Sequence, residues 1–313
     1  MGRIKAATWV RVTEHAEWQP RDSCGEVVFD GRMWLMGGWF TSFGLGPRDV
    51  WCSEDGAKWT LVTPEAEWRH GDLPTSLVHG GRMWMMGGWY GGRLPSSSGS
   101  NQVWYSQDGA HWQCATACAG WSPRTGAGGV VHDGRMWILG GVESFFAEEA
   151  SHLRNDVWYS ADGAHWTLAT ANAPWPPRAC HAAVVFNGRI WVFGGWSYLS
   201  PDHSCYNDVW SSADGVHWDR MSEHAPWPPR FWFSAATYRN RIWVLGGFSK
   251  DPHRNWGDVW YTEDGAHWTE LKADAVWKPR HEHSAFVFQD KLWVAGGHAQ
   301  PLANDVWRLD IEE

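Results

Sequence analysis

Cysteine, positive charge and helical periodicity are all scarce in this chain of 313 residues. Its six cysteines, Cys24, Cys52, Cys114, Cys118, Cys180 and Cys205, are too few and too irregularly spaced for a disulfide framework, so free thiols are expected. Acidic residues outnumber basic ones, with a formal net charge of −9, and no basic stripe is present; neither nucleic acid nor an anionic membrane is an expected partner. There is no apolar leader and no run long enough to span a bilayer, which predicts a cytoplasmic, monomeric protein. No stretch sustains an apolar period of 3.6, which argues against helical architectures. Phosphate loops, Gly-x-Ser-x-Gly and His-Glu-x-x-His are also missing, and with them the enzyme classes those motifs mark.

Tryptophan and glycine are abundant, at 29 and 35 residues, and they are periodic. A Gly-Gly pair recurs at Gly37-Gly38, Gly87-Gly88, Gly140-Gly141, Gly194-Gly195, Gly246-Gly247 and Gly296-Gly297, at intervals of 50, 53, 54, 52 and 50 residues. Such a period marks a repeat architecture. Each copy has an opening tryptophan (Trp18, Trp68, Trp121, Trp175, Trp227, Trp277) and a second one before Gly-Gly (Trp34, Trp84, Trp137, Trp191, Trp243, Trp293). A third follows in Asp-Val-Trp or a variant of it (Trp51, Trp104, Trp158, Trp210, Trp260, Trp307). The fourth set, Trp59, Trp112, Trp166, Trp218 and Trp268, is one short downstream, and its missing member is Trp9 near the N-terminus.

Short β-branched and aromatic runs between Asp-Gly or Asn-Gly turns make each copy a four-stranded antiparallel sheet. The displaced Trp9 then places the first strand in the last sheet, closing a ring without free inner edges. The expected fold is all-β: one domain over residues 1–313, a six-bladed propeller sealed by the N-terminal strand.

The Pro-Arg before each first strand (Pro20-Arg21, Pro123-Arg124, Pro177-Arg178, Pro229-Arg230, Pro279-Arg280), the Gly-Gly and the spaced tryptophans resemble the kelch repeat over nearly the whole chain. The resemblance implies the propeller but leaves function open, because kelch propellers include recognition modules, sugar-processing enzymes and metal enzymes. Blade 2 departs from the motif, with Gly71 where the other copies have arginine. The Glu-x-x-x-Asp-x-x-x-His string of kelch-type iron enzymes is absent. Tyr90, Tyr198 and Tyr206 beside Cys205 do not reproduce a galactose-oxidase-like copper centre.

Insertions fall only between Gly-Gly and the third strand, from seven residues (298–304) to fourteen (142–155), so one face is variable and the other uniform. Binding is expected on the variable face. His111, His165, His217 and His267 recur beside the fourth-strand tryptophan and read as scaffold, whereas His15, His70, His152, His181, His203, His224, His253, His281, His283 and His298 fall at the variable face. Positions one and three beyond the arginine, with the residue after Gly-Gly, supply the candidate lining. Ligand-binding candidates are Asp22, Trp39, Asp72, Trp89, Arg178, Trp196, Arg230, Phe231, Trp232, Phe233, Arg280 and His298.

Two readings of this mouth compete. In one, an aromatic, His-rich pocket binds a small polar or anionic molecule, or an acidic peptide, by stacking and charge. In the other it is an enzyme with His181, His281, Glu282 and His283 as acid–base residues. Strand alternation sets His281 and His283 on one side, so that His181, His283 and His298 would suit zinc, copper or iron. The recurring arginines are expected to serve structure first, by bonding backbone or carboxylates of neighbouring blades; the kelch resemblance implies that some also hold carboxylates in the pocket.

Overall fold

The computed structural model describes residues 4–40, 46–89, 99–144, 152–197, 205–274 and 276–313, and every named element in it is a β-strand. Strand β1 (Ala6–Thr13) is followed by blade 1: β2 (Gly25–Phe29), β3 (Arg32–Met36), β4 (Val50–Ser53) and β5 (Thr60–Thr63). Blade 2 is β6 (Thr75–His79), β7 (Arg82–Met86), β8 (Val103–Ser106) and β9 (Gln113–Thr116). Blade 3 is β10 (Gly128–His132), β11 (Arg135–Val142), β12 (Leu153–Ser160) and β13 (Thr167–Thr170). Blade 4 is β14 (Ala182–Phe186), β15 (Arg189–Phe193), β16 (Val209–Ser212) and β17 (Trp218–Ser222). Blade 5 is β18 (Ser234–Tyr238), β19 (Arg241–Ser249), β20 (Arg254–Thr262) and β21 (Trp268–Glu270). Blade 6 combines β22 (Ser284–Phe288), β23 (Lys291–Ala295) and β24 (Val306–Glu312) with β1 as its outer strand.

The six antiparallel sheets form a β-propeller, with inner strands β2, β6, β10, β14, β18 and β22 adjoining in a closed circle. Closure is as Trp9 implied: β1 pairs with β24, Trp9 opposite Leu309 and Val10 opposite Arg308. The opening tryptophan of each blade meets the fourth-strand tryptophan edge to face, as in Trp18–Trp59 (6.0 Å, 90°) and Trp227–Trp268 (5.8 Å, 82°). In blade 6 the partner of Trp277 is Trp9, at 5.9 Å and 79°. Each such pair adds about 0.5–1.5 kcal/mol beyond its burial.

The hairpins behave as their sequences indicate at Asp30-Gly31, where φ is 48° and 69°, the geometry of a type I′ turn. Blades 5 and 6 make the same turn without glycine, at Arg239-Asn240 (46°, 51°) and Gln289-Asp290 (48°, 50°). Neither pair is a strong turn signal, so here the sheet imposes the conformation.

Arginine and Gly-Gly together hold blades in place. Arg230 Nε donates to Pro228 O at 3.1 Å, Nη1 to Gly246 O at 2.8 Å, and the guanidinium grips Asp258 through Nη1 and Nη2 at 2.6 and 2.8 Å. Trp260 Nε1 donates to the same carboxylate at 2.7 Å. Arg21–Asp49, Arg124–Asp156, Arg178–Asp208 and Arg280–Asp305 repeat the arrangement. These side chains thus bond within their own blade, not to neighbouring blades as expected; it is the main chain that bridges. The second glycine donates its N–H to the arginine carbonyl of the next blade, as in Gly195 to Arg230 O and Gly247 to Arg280 O, both at 2.9 Å. Gly38 makes the same bond to Gly71 O, at 2.7 Å. Blade 2 lacks the acidic partner as well as the arginine: Gln102 stands in the aspartate position and accepts from Trp104 Nε1 at 3.1 Å. Removing both members leaves no orphaned charge.

Gly247 has φ +107, and a Cβ there would lie 2.6 Å from Phe233 Cβ and 3.1 Å from Phe231 O. Gly247→Ala is therefore expected to destabilise the protein by about 2–4 kcal/mol, through backbone strain and a contact with no room to relax. Urea denaturation checks this; an unchanged midpoint would mean that the seam between blades is softer than its geometry.

Candidate functional site

At the variable face the entry segment of each of the six blades turns inward two residues past the arginine position. Ser23, Leu73, Gly126, Cys180, Trp232 and Glu282 all have φ between 50° and 60°. Each donates its N–H to the equivalent carbonyl of the preceding blade: Leu73 to Ser23 (2.9 Å), Gly126 to Leu73 (3.4 Å), Cys180 to Gly126 (2.7 Å), Trp232 to Cys180 (3.2 Å), Glu282 to Trp232 (2.8 Å) and Ser23 to Glu282 (3.1 Å). A closed backbone ring results, which satisfies six donors that would otherwise point into the channel. Left-handed φ is uncommon for any of these except glycine, and for tryptophan it is a marked outlier. Closing the ring is what holds it.

Beneath the ring lies a cavity of about 330 Å³ on the axis. Three residues deeper, β2, β6, β10, β14, β18 and β22 present Glu26, Ser76, Gly129, Ala183, Ala235 and Ala285, all at the cavity wall. Glu26 is the one charged group at this level. Burial pushes its carboxyl up to about 8, partly offset by hydrogen bonds from the Ser284 hydroxyl and the Ala285 amide. The side chain is only half-buried, its open surface being the cavity itself.

Above the ring, an aromatic layer spans blades 4 to 6. Residues one past the arginine position bridge to the residue after Gly-Gly in all six blades: Asp22–Trp39, Asp72–Trp89, Thr125–Val142, Ala179–Trp196, Phe231–Phe248 and His281–His298. Trp196 stacks on Phe231 (6.0 Å, 23°), Trp232 on His281 (5.1 Å, 16°), and His281 meets His298 at 4.8 Å. Asn255 donates through Nδ2 to His298 O at 2.8 Å, which turns its Oδ1 toward His281 Nδ1 at 2.7 Å. His281 Nε2 then lies 3.2 Å from Glu282 Oε2, and Ser23 Oγ donates to Glu282 Oε1 at 2.7 Å. By accepting from Nδ1, Asn255 fixes the orientation of the His281 ring beside this carboxylate.

Several expected site residues are placed otherwise. His281 and His283 do not share one side of a strand: β22 starts only at Ser284, and left-handed Glu282 between them breaks the alternation. His281 rises to the mouth, while His283 packs on Trp277 at 5.4 Å in the seam with blade 5. His181 is held likewise against Trp175, at 6.0 Å, and His298 belongs to the upper layer with His281. His181, His283 and His298 therefore do not converge; among the described residues no group of three or more His, Cys, Asp or Glu side chains is arranged to hold a metal ion. Burial holds the His181 imidazole down to about 3 and His283 well below the usual histidine range, each with help from its neighbouring arginine. Glu282, expected as a base, is engaged by Ser23 and His281.

Arg178, Arg230 and Arg280 are at most 1% exposed and commit four of their five N–H donors to scaffold acceptors, which removes them from ligand binding. Asp22, Asp72, Trp89, Trp196 and Phe231 are buried in the layer above the ring, and Phe233 lies against Phe193 and Trp227 while its edge reaches the cavity. Trp39 and Trp232 remain half-buried. His111, His165, His217 and His267 cap turns through Asp108, Asp162, Asp214 and Asp264 at 2.7–2.9 Å, as a scaffold role requires. Tyr90, Tyr198 and His203 lie outside the described residues.

The deeper level carrying Glu26, and Ser23, Leu73, Gly126 and Cys180 of the ring, escaped the sequence reading. Alternation made the position between two lining residues look outward-facing. Gly126, standing where the other copies have side chains, was the available sign of a left-handed backbone.

The chain resembles proteins built from the same repeat. Residues 146–313 match the KLHDC2/KLHL20/DRC7 Kelch-repeats domain. The dynein alpha chain of the flagellar outer arm from Chlamydomonas reinhardtii is 34% identical over 134 residues, 40% of this chain and 3% of that protein. Kelch domain-containing protein 1 of Mus musculus is 26% identical over 137 residues, 42% of this chain and 33% of that one. Alpha-scruin of Limulus polyphemus is 33% identical over 104 residues, 33% of this chain and 10% of that one. The chain thus spans a third or less of the length of these relatives. With the matched domain covering more than half of the chain and the same motif running through its first three blades, this protein belongs to the kelch-repeat family.

Proposed function

We propose that this chain is a protein-recognition module whose variable face receives an acidic or polar segment of a partner at the aromatic mouth of blades 4 to 6. The carrying observation is Trp232. The backbone ring holds it at φ 55°, and its half-buried indole is stacked on His281 at the centre of the variable face. A bulky residue kept in a costly conformation at a binding face is strain with a use, and tryptophan is the residue most enriched among interface anchors. Beside it the β19–β20 hairpin carries exposed Lys250, whose Nζ lies 5.3 Å from the Trp196 ring, and His253, 4.8 Å from Phe248. With the motif arginines committed to scaffold, these side chains are the ones placed to meet partner carboxylates, or a small anionic molecule at the same mouth.

Trp232→Gly tests this without breaking the ring, since Gly126 fills the same position in blade 3. On an array of acidic peptides, the tightest binders of the native chain should lose about 30-fold or more in affinity to the variant, the effect of removing an anchor. Lys250→Ala should weaken binding less and flatten its salt dependence. Equal binding by native and Trp232→Gly proteins of the same melting behaviour would defeat the proposal.

A further inference from the structure

The axial cavity below the ring has a chemistry of its own. Its volume of about 330 Å³ is enough for a head group and a short alkyl stem. Glu26 faces it from β2, and among the described residues neither lysine nor arginine lines it. The other titratable groups at its wall are Cys24, Cys180, His181, Glu282 and His283. Glu282 already accepts from Ser23 and faces His281, so Glu26 is the carboxyl whose only side-chain partner is a distant hydroxyl, Ser284 Oγ at 3.5 Å. His181 and His283 are 7% and 3% exposed, and neither nitrogen of either ring has a hydrogen-bond partner within the protein. Both rings are packed against tryptophans with their nitrogens covered, and burial keeps them neutral, so they bound the cavity without adding charge to it. Trp232 completes the wall with an aromatic ring, a surface that attracts cations.

We propose that this cavity is a binding site for a small organic cation, an alkylammonium or alkylguanidinium head group, with the Glu26 carboxylate as counter-ion. One charge is met by one charge, and the Thr75, Ser76 and Ser234 hydroxyls at the wall can accept from the head group's remaining N–H donors. Among the described residues no cationic side chain at the wall offers an anion a counter-charge. The raised Glu26 titration agrees with this geometry: the carboxyl holds its proton near neutrality when no cation is present and must give it up when one binds. The site shares Trp232 with the partner surface proposed above, but Lys250 and His253 lie outside the cavity wall and Glu26 lies below that surface, so substitutions at Lys250 and Glu26 separate the two.

Calorimetric titration of the native chain with n-butylguanidinium and n-butylammonium at pH 7 tests it, with n-butanol as neutral control. Expected are saturable binding of one or both cations, none of n-butanol, and release of about one proton per cation bound, read from buffers of different ionisation heat. Glu26→Gln should weaken binding by about tenfold or more, the loss of a charge-assisted contact, while Lys250→Ala should leave it unchanged. Glu26→Gln replaces a protonated, neutral carboxyl by an amide of the same shape, so its folding is not at risk; a thermal melt confirms it. Lack of saturable binding to the native chain, binding of n-butanol as strong as that of the cations, or equal affinity in Glu26→Gln would each overturn the proposal. A free cation and a side chain of a bound protein are told apart by adding a lysine- or arginine-tipped peptide: competition that persists after Lys250→Ala but vanishes in Glu26→Gln assigns the site to a side chain, and competition by the free amines alone assigns it to a small molecule.

Discussion

Removing residues 1–13 should abolish the single cooperative unfolding transition of this chain. Blade 6 would lose its outer strand, leaving the N–H and C=O groups of β24 without the ladder that runs from Ala6–Glu312 to Thr13–Val306. Trp9, 2% exposed, would no longer cover Trp277, and loss of that indole alone is worth about 3–5 kcal/mol. The damage is not confined to one blade. Ala7 and Trp9 share a core with Trp243, Leu245, Leu292 and Ile311, so blade 5 is uncovered too. Against a total stability on the order of 10 kcal/mol the loss is decisive. A peptide of residues 4–14 added in trans should restore part of the transition in a concentration-dependent way. A truncated chain that melts sharply, unaided and at the native temperature would show that the ring does not depend on this strand.

The second large effect concerns the buried ion pairs. Arg230→Met should destabilise the protein by about 3–5 kcal/mol, because Asp258 is left inside without its partner. Arg230→Met combined with Asp258→Gln should be distinctly less damaging than the single change, since it approximates blade 2, where Gly71 and Gln102 carry no charge. The pH dependence gives a second readout. Burial alone would raise the Asp258 carboxyl, but the hydrogen bonds and charge of Arg230 outweigh it and hold the group below its usual value. A group lowered in the folded state contributes stability above its unfolded value, near 3.8, that fades as pH falls through the folded value. The gap between native and Arg230→Met proteins should thus be widest near neutrality and shrink as pH falls, starting above pH 4, where the buried and unpaired Asp258 of the variant takes up its proton, and continuing below pH 4 as the paired carboxylate of the native protein is protonated. Urea melts at pH 7 and at acid pH measure both; a double variant as unstable as the single one would mean that the pair acts through shape rather than charge.

The scaffold was legible because it is repeated. Six Gly-Gly pairs, four sets of tryptophans and the stray Trp9 reveal strand count, blade count and closure, since each must satisfy the same local packing in every copy. The blade 2 exception was half legible: Gly71 was visible as a missing arginine, yet its compensation by Gln102 emerges only when the arginine is seen gripping the aspartate of the same blade. The site was read less well. Phe231, Trp232, His281 and His298 lie together in one aromatic layer. His181 and His283, assigned there as ligands, sit lower and apart, because alternation along a strand cannot be extended through a residue at positive φ.

By itself, then, the order of amino acids determined a closed ring of six blades, with one face uniform and the other variable, since spacing and side-chain type are enough to specify sheets that bury the same tryptophans again and again. Tertiary structure decided what the axis holds. Ser23, Leu73, Gly126, Cys180, Trp232 and Glu282 become a hydrogen-bonded ring only when six blades bring their backbones within reach. Glu26 acquires its unusual proton affinity only because five other strands exclude water around it while leaving a cavity at its tip. Such properties depend on groups about 50 residues apart or more, whose distance is set by ring closure and not by anything local in the chain.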